Sequence, residues 1–165
     1  MADEPERWRS WLRQHGPALL LFARQWSATP ADAEDALQAG FLKFWTTRVR
    51  ARDEVAYLYS CVRSAAIDMD RSQRRRAARD RGAELRQELA FEPPVERSER
   101  QARIESALNQ LPADQREVVV MKIWGGLTFA QIGQALGVPL HTAASRYRVA
   151  LTRLAADLAR EMAHE

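Results

Sequence analysis

The chain has 165 residues, of which 46% are apolar and 28% charged, and its formal net charge is +3. This length fits one ordinary domain or two small ones, and the composition is typical of a globular protein rather than a disordered one. No apolar run approaches the roughly 20 residues that a membrane span needs, and the single cysteine, Cys61, cannot form an internal disulfide, so we expect no membrane insertion and a cytoplasmic location.

The residue types favour helices along the whole chain. Ala, Leu, Arg, Glu and Gln dominate, and these residues lose little side-chain freedom in a helix, whereas only 7 Gly and 7 Pro are present. β-branched residues do not alternate with polar ones over any useful stretch, as they would in a half-buried strand. We therefore predict an all-α fold with two small helical domains joined by a flexible linker, the C-terminal domain being a helix-turn-helix.

The first helix is predicted over residues 5–26, and Gly16-Pro17 is expected to kink or divide it. Its large apolar residues recur at steps of three and four, which places them on one face. We interpret this face as core rather than as a binding platform. Its members are Trp8, Trp11, Leu12, Leu19, Phe22, Ala23 and Trp26.

The second helix is predicted to begin at Thr29-Pro30, because a hydroxyl N-cap followed by proline is a common helix start. Two sets of residues then fall on different faces. The face expected to be buried contains Ala33, Leu37, Phe41 and Phe44, and the opposite side contains Asp35, Gln38, Leu42 and Trp45. A helix with Leu and Trp outside its core face has more than one packing surface, unless the first helix covers them.

The third helix is predicted from about Asp53 to Arg81, with an apolar first half and a basic second half. Residues 1–70 hold nine basic and ten acidic groups, whereas residues 71–81 hold six arginines and one aspartate. A localised basic stretch attracts phosphate backbones, although a solvated, arginine-rich helix end is the plainer alternative.

A linker is predicted over residues 82–100, which contain a mixed charge run and Pro93-Pro94. The predicted domains are therefore residues 1–81 and residues 101–165. In the second domain we expect one helix to end at Leu111-Pro112, another to cover residues 113–124, and a short one to begin at Thr128.

The stretch from Thr128 to Leu154 predicts a helix-turn-helix. Thr128 and Gln131 form a capping box, Gly137 is the expected left-handed cap, and a longer helix follows from Leu140. We expect the two helices to pack through Ile132, Leu136, Val138, Ala143, Tyr147 and Leu151. The second helix would then present short polar and cationic side chains at its N-terminal end, where such helices meet base edges. An ordinary helical hairpin is the alternative.

Two blocks of sequence carry specific motifs. The C-terminal block comprises ALNQLP at 107–112, Arg116, GLTFAQIG at 126–133, LGVP at 136–139 and TAASR at 142–146. The N-terminal block comprises DAEDALQ at 32–38, Phe41 and Trp45, and then YLY at 57–59, Arg63-Ser64, Ile67-Asp68 and Arg71. The first of these blocks resembles region 4, and the second resembles region 2, of bacterial sigma factors of the extracytoplasmic-function group, within the sigma-70 family. The resemblance covers nearly the whole chain.

The resemblance implies a sigma factor that binds core RNA polymerase and directs promoter recognition and opening in transcription initiation. Its partners would be core polymerase and promoter DNA, and the resemblance allows an anti-sigma factor as a third partner. Core polymerase would bind Asp35, Gln38, Phe41, Leu42 and Trp45. The −10 element would meet Arg63, Ser64, Arg71, Arg74 and Arg75. The −35 element would meet His141, Thr142, Ala144, Ser145, Arg146 and Arg148.

Several residues depart from the family pattern. Ser64 stands where asparagine is usual, Ala143 and Ala144 replace a valine and a basic residue, and Val149 replaces a common arginine. Gly40 lies inside the presumed polymerase-binding helix, where glycine costs roughly 1 kcal/mol relative to alanine. These changes bear on promoter preference and strength rather than on the fold.

Other functions fit the sequence less well. The three histidines are scattered, and no phosphate-binding glycine loop is present, so we expect no enzyme, no metal, no cofactor and no small-molecule substrate. Asp68 and Asp70 follow Arg63 on one helix and are interpreted as its ion-pair partners. A one-component transcriptional regulator with an N-terminal dimerisation or sensor bundle is the main alternative, and a degenerate sigma factor that only sequesters polymerase is a third.

Overall fold

The computed structural model describes residues 4–79 and 99–164, with the side chains of residues 49, 101 and 102 excepted. Within these ranges the chain forms seven α-helices and one short 3-10 turn at Arg48–Arg50. The helices are α1 (Glu4–Arg24), α2 (Pro30–Thr47), α3 (Glu54–Arg79), α4 (Glu99–Gln110), α5 (Ala113–Ile123), α6 (Phe129–Leu136) and α7 (Leu140–Ala163). We call α1–α3 the first lobe and α4–α7 the second lobe. Arg81 and most of the predicted linker lie outside the described residues, while its last two residues, Glu99 and Arg100, are helical.

The first lobe is a three-helix unit whose ends follow local sequence signals. Helix α1 continues through Pro17 instead of dividing there. The Thr29 hydroxyl caps α2 by accepting a hydrogen bond of 3.1 Å from the backbone N–H of Asp32, as the Thr-Pro start predicted. Leu19, Phe22 and Ala23 are fully buried, which confirms that the later part of the α1 stripe is core.

Helices α2 and α3 approach closely at Gly40. A Cβ atom added to Gly40 would lie 2.6 Å from the Cα of Val62 and 2.8 Å from its backbone nitrogen, well inside normal contact. Only glycine therefore fits this crossing without moving a helix. Gly40, which departs from the family pattern, therefore has a packing role. It sets how closely α2 approaches α3 in the first lobe.

The second lobe has the predicted helix-turn-helix geometry. Thr128 and Gln131 form the capping box of α6, and Gly137 closes this helix with φ = 68°. Ile132 and Ala143 are fully buried between α6 and α7. The prediction for Leu151 was wrong, because this side chain is 39% exposed. Ala150 is buried in its place, since it lies one step earlier on the face that turns toward the core.

The two lobes share one hydrophobic core. Helix α5 packs against α1, and α6 packs against α3. Residues 118–121 of α5 are four consecutive apolar residues with no exposed surface. A helix that is buried all round must be covered on every side, so the first lobe covers the face of α5 that the second lobe leaves open. In the described residues, no helix is both long enough and apolar enough to cross a membrane.

Candidate functional site

An apolar groove lies on the outer face of the first lobe, between α1 and α2. Four of the five residues predicted to bind polymerase line it: Gln38, Phe41, Leu42 and Trp45. Their spacing of three and four residues places them on one side of α2. Phe41 is buried and forms part of the floor, whereas the Leu42 side chain is 69% exposed. The fifth residue, Asp35, is exposed one turn before Gln38, outside the groove lining.

Aromatic contacts hold the shape of this groove. The Trp8 ring lies edge-on to Phe41 and to Trp45, with centroid distances of 4.6 and 5.2 Å. The Arg48 guanidinium lies over the Trp45 ring, 3.6 Å from the ring centroid. Trp8 and Leu12 of α1 form the second wall, a role that the sequence did not indicate because both residues belong to the stripe interpreted as core. Half-burial of both side chains shows that this stripe serves the core and the groove together.

The C-terminal half of α3 is a basic, solvent-facing helix end. Arg71, Arg74 and Arg75 are exposed, and the Nε atom of Arg74 lies 3.0 Å from the Asp70 carboxylate one turn earlier. This part of the helix has few apolar side chains, and all of its residues from 74 to 79 are exposed. A helix end with this charge is suited to contacting phosphates in a solvated interface.

Arg63 lies further back on α3, at the contact between the lobes. Its Nε donates to Glu117 Oε2 at 2.8 Å and its Nη2 reaches Glu117 Oε1 at 3.4 Å. Asp70 bonds Arg74, so the prediction that Asp68 and Asp70 pair with Arg63 was wrong: its partner lies in α5. Ser64, the next residue, is half-buried.

Glu117 is buried, with 2% of its surface exposed. Burial raises the pKa of this carboxyl, while the hydrogen bond and charge of Arg63 lower it; burial has the larger effect. The ion pair with Arg63 therefore offsets only part of the free energy that is lost when the Glu117 carboxylate is buried.

The N-terminal half of α7 presents the side chains expected of a DNA-contacting helix. His141, Ser145 and Arg148 are exposed, whereas Thr142 and Ala144 are half-buried. Arg146 is half-buried at the edge of this surface, with its Nε 3.6 Å from the Asp114 carboxylate of α5. Arg148 is therefore the more accessible of the two arginines for a contact in the groove of a duplex. The predicted set lies on one helix, in the arrangement that the helix-turn-helix requires.

Two family models match the chain in the order of its two lobes. The model described as sigma-70 region 2 matches residues 11–76, and the model described as sigma-70, region 4 matches residues 101–154. The groove and the basic end of α3 fall within the first match, and the exposed start of α7 falls within the second.

Individual proteins resemble the chain over most of its length. The ECF RNA polymerase sigma factor SigL of Mycobacterium tuberculosis is 29% identical over 160 residues, covering 93% of this chain and 89% of that protein. The sigma factor RpoE of Bartonella quintana, solved in complex with the anti-sigma factor NepR, superposes with a TM-score of 0.70 at 26% identity, over 90% of this chain and 94% of that one. CnrH, solved with the cytosolic domain of CnrY, shares the fold with a TM-score of 0.65 at 23% identity, over 96% and 92%.

Proposed function

The chain belongs to the extracytoplasmic-function group of the sigma-70 family and directs promoter recognition by core RNA polymerase, and on this premise we propose which of its surfaces makes each contact. The polymerase catalyses bond formation, while the sigma factor binds and positions. We further propose that the first domain extends over residues 1–81 and that residues 82–98 form the linker, since α4 of the second domain begins at Glu99, and that the protein acts in the cytoplasm with its polymerase.

The groove between α1 and α2 is the proposed polymerase-binding surface. The observation that carries this proposal is the Leu42 side chain, which is 69% exposed beside an aromatic wall. An exposed leucine next to Trp45 and Trp8 offers the apolar, aromatic contact that protein interfaces concentrate at their centres. Asp35 and Gln38 add a polar rim to this centre.

The two DNA contacts are assigned to different helices. The exposed Arg71, Arg74 and Arg75 of α3 would neutralise phosphates near the −10 element, with Arg63 and Ser64 closer to the bases. The −35 element would meet the start of α7, through His141, Thr142, Ala144, Ser145, Arg146 and Arg148. Short polar groups at the N-terminal end of such a helix fit the major groove.

A one-component regulator is not supported as an alternative. The C-terminal helix-turn-helix alone fits both classes of protein, but the first lobe matches the sigma-70 region 2 model.

RpoE and CnrH were each solved with another protein, NepR and CnrY. We propose that an anti-sigma protein likewise binds this chain.

Replacement of Leu42 by glutamine tests the polymerase assignment. Because the side chain is mostly exposed, Leu42→Gln should leave the circular dichroism spectrum and the melting temperature unchanged. Loss of a central apolar contact should weaken binding to core polymerase by about tenfold or more and reduce run-off transcription in parallel. The neighbouring, exposed Lys43→Gln provides the control. Equal binding of both variants and the wild type would remove the groove from the interface.

A further inference from the structure

The wall that Trp8 and Trp45 form has the groove on one side and a narrow crevice on the other. The crevice has a volume of only about 10 Å³, close to the smallest space that holds one water molecule. Arg48 lines the crevice and is not part of the groove lining. The two rings are thus a partition, with the groove in front of it and Arg48 behind it.

The Arg48 side chain is held in place behind this partition. Its Nη2 atom lies 2.7 Å from Glu4 Oε1 at the start of α1, and only 19% of the side chain is exposed. Its guanidinium lies over the Trp45 ring, 3.6 Å from the centroid. A cation over an indole face is attracted to the ring, and more strongly where water is partly excluded. Arg48 therefore joins the start of α1 to the back of the Trp45 ring.

Contacts with other parts of the first lobe fix the orientation of the Trp45 ring. Trp45 lies in the last turn of α2, which ends at Thr47, so few residues of the same helix follow it. Trp8 meets the ring edge-on at a centroid distance of 5.2 Å, and Arg48 covers the face behind it. If the guanidinium were removed, the crevice would widen and the indole could tilt back from the groove.

We propose that Arg48 is a positioning residue of the polymerase-binding surface: its guanidinium, anchored by Glu4, supports the Trp45 ring from behind and keeps the groove wall in the shape that polymerase meets. Arg48 acts through Trp45 and makes no contact with the polymerase itself. This inference rests on the proposed function of the groove.

The Arg48→Met variant of the full chain tests this role, because methionine keeps a long, unbranched side chain and removes the cation. Core polymerase should bind it about fivefold more weakly, the factor that corresponds to the loss of one cation–π contact. Trp45→Leu should weaken binding about tenfold. Adding Arg48→Met to Trp45→Leu should weaken binding no further, because the ring that Arg48 supports is gone. Arg50→Met is the matched control: it makes the same change at an exposed side chain of the same turn and should bind like the wild type.

Fluorine NMR reports the position of the ring on the free chain. The chain has five tryptophans, so labelling with 5-fluorotryptophan gives one resonance for each, and Trp45→Leu identifies the resonance of Trp45. In Arg48→Met this resonance should broaden or divide, because the ring would exchange between the groove wall and the widened crevice. The resonance of Trp124, which lies in the second lobe, should stay unchanged and shows that the variant is folded.

The outcomes separate the role of Arg48 from the function of the groove. A single, sharp Trp45 resonance in Arg48→Met, or wild-type binding by Arg48→Met while Leu42→Gln binds weakly, would overturn the positioning role and leave the groove as the interface. A fivefold loss that persists in the Trp45→Leu background would show that Arg48 contacts polymerase directly, which also overturns the proposal. Unchanged binding by both Leu42→Gln and Trp45→Leu would overturn the groove assignment itself.

Discussion

Substitution of Gly40 by alanine should destabilise this protein, although helix propensity predicts the opposite. Gly40 lies inside α2, where alanine is favoured over glycine by about 1 kcal/mol. The new methyl group would lie 2.6 Å from the Cα of Val62, whereas carbon atoms pack best at about 3.5–4.0 Å. Helix α2 would therefore have to move away from α3 by about 1 Å along this contact.

The magnitude follows from which atoms collide. The Cα and backbone nitrogen of Val62 cannot rotate aside as a side-chain end could. Overpacking of a core costs about 1–3 kcal/mol, and a collision with backbone belongs at the upper end. After the gain in propensity, the net loss of unfolding free energy should be about 2 kcal/mol. For a chain of this size, the melting temperature should fall by about 4–8 °C.

Thermal and urea denaturation followed by circular dichroism would measure this loss. Ala39→Gly provides the control, because Ala39 is the exposed neighbour on the same helix and the change removes propensity alone. It should cost about 1 kcal/mol. The sum of the two measured losses gives the packing cost at Gly40, because the propensity that alanine gains at Gly40 offsets part of this cost and the control measures that propensity by itself. A Gly40→Ala protein as stable as the wild type, or more stable, would refute the close crossing of α2 and α3.

Two further predictions concern the proposed DNA-binding surfaces. Changing Arg71, Arg74 and Arg75 together to alanine should reduce the salt slope of promoter-complex formation by about one unit per lost phosphate contact. A titration of salt on two unrelated promoters checks this, and a loss confined to one promoter would indicate base contacts instead. Arg148→Ala should cost about 1–3 kcal/mol at one or two −35 positions, whereas Arg146→Ala should weaken binding evenly. Selection from a randomised −35 library measures both, and unchanged preference with unchanged affinity for both variants would exclude α7 from DNA recognition.

The elements that the sequence predicted well are those determined by neighbouring residues. The capping box at Thr128 and Gln131 and the left-handed Gly137 depend on contacts three or four residues apart, so their patterns are visible in the chain. The outward strip of α2 could also be predicted, since the period of a helix places Gln38 and Leu42 together.

The contact between the lobes could not be predicted in this way. Glu117 precedes a run of valines that shows no helical period, and a glutamate in such a position is ordinarily exposed. Its partner Arg63 is 54 residues away, and the nearer carboxylates Asp68 and Asp70 offered more obvious partners. Trp8 was missed for a related reason, because a tryptophan on an apolar stripe carries no sign that one edge of its ring faces a groove.

If Arg63 meets −10 DNA as proposed, its position links the arrangement of the lobes to DNA binding. A carboxylate and a phosphate are both anionic acceptors, and a guanidinium uses the same planar donors for either. Since Glu117 already occupies Nε and Nη2, the same edge cannot serve DNA while the lobes remain packed. Linkage then requires reciprocity: any change that favours the closed arrangement by a given factor weakens this DNA contact by the same factor, and DNA bound at Arg63 opposes closure equally. A DNA contact at Arg63 and separation of the two lobes would therefore favour each other.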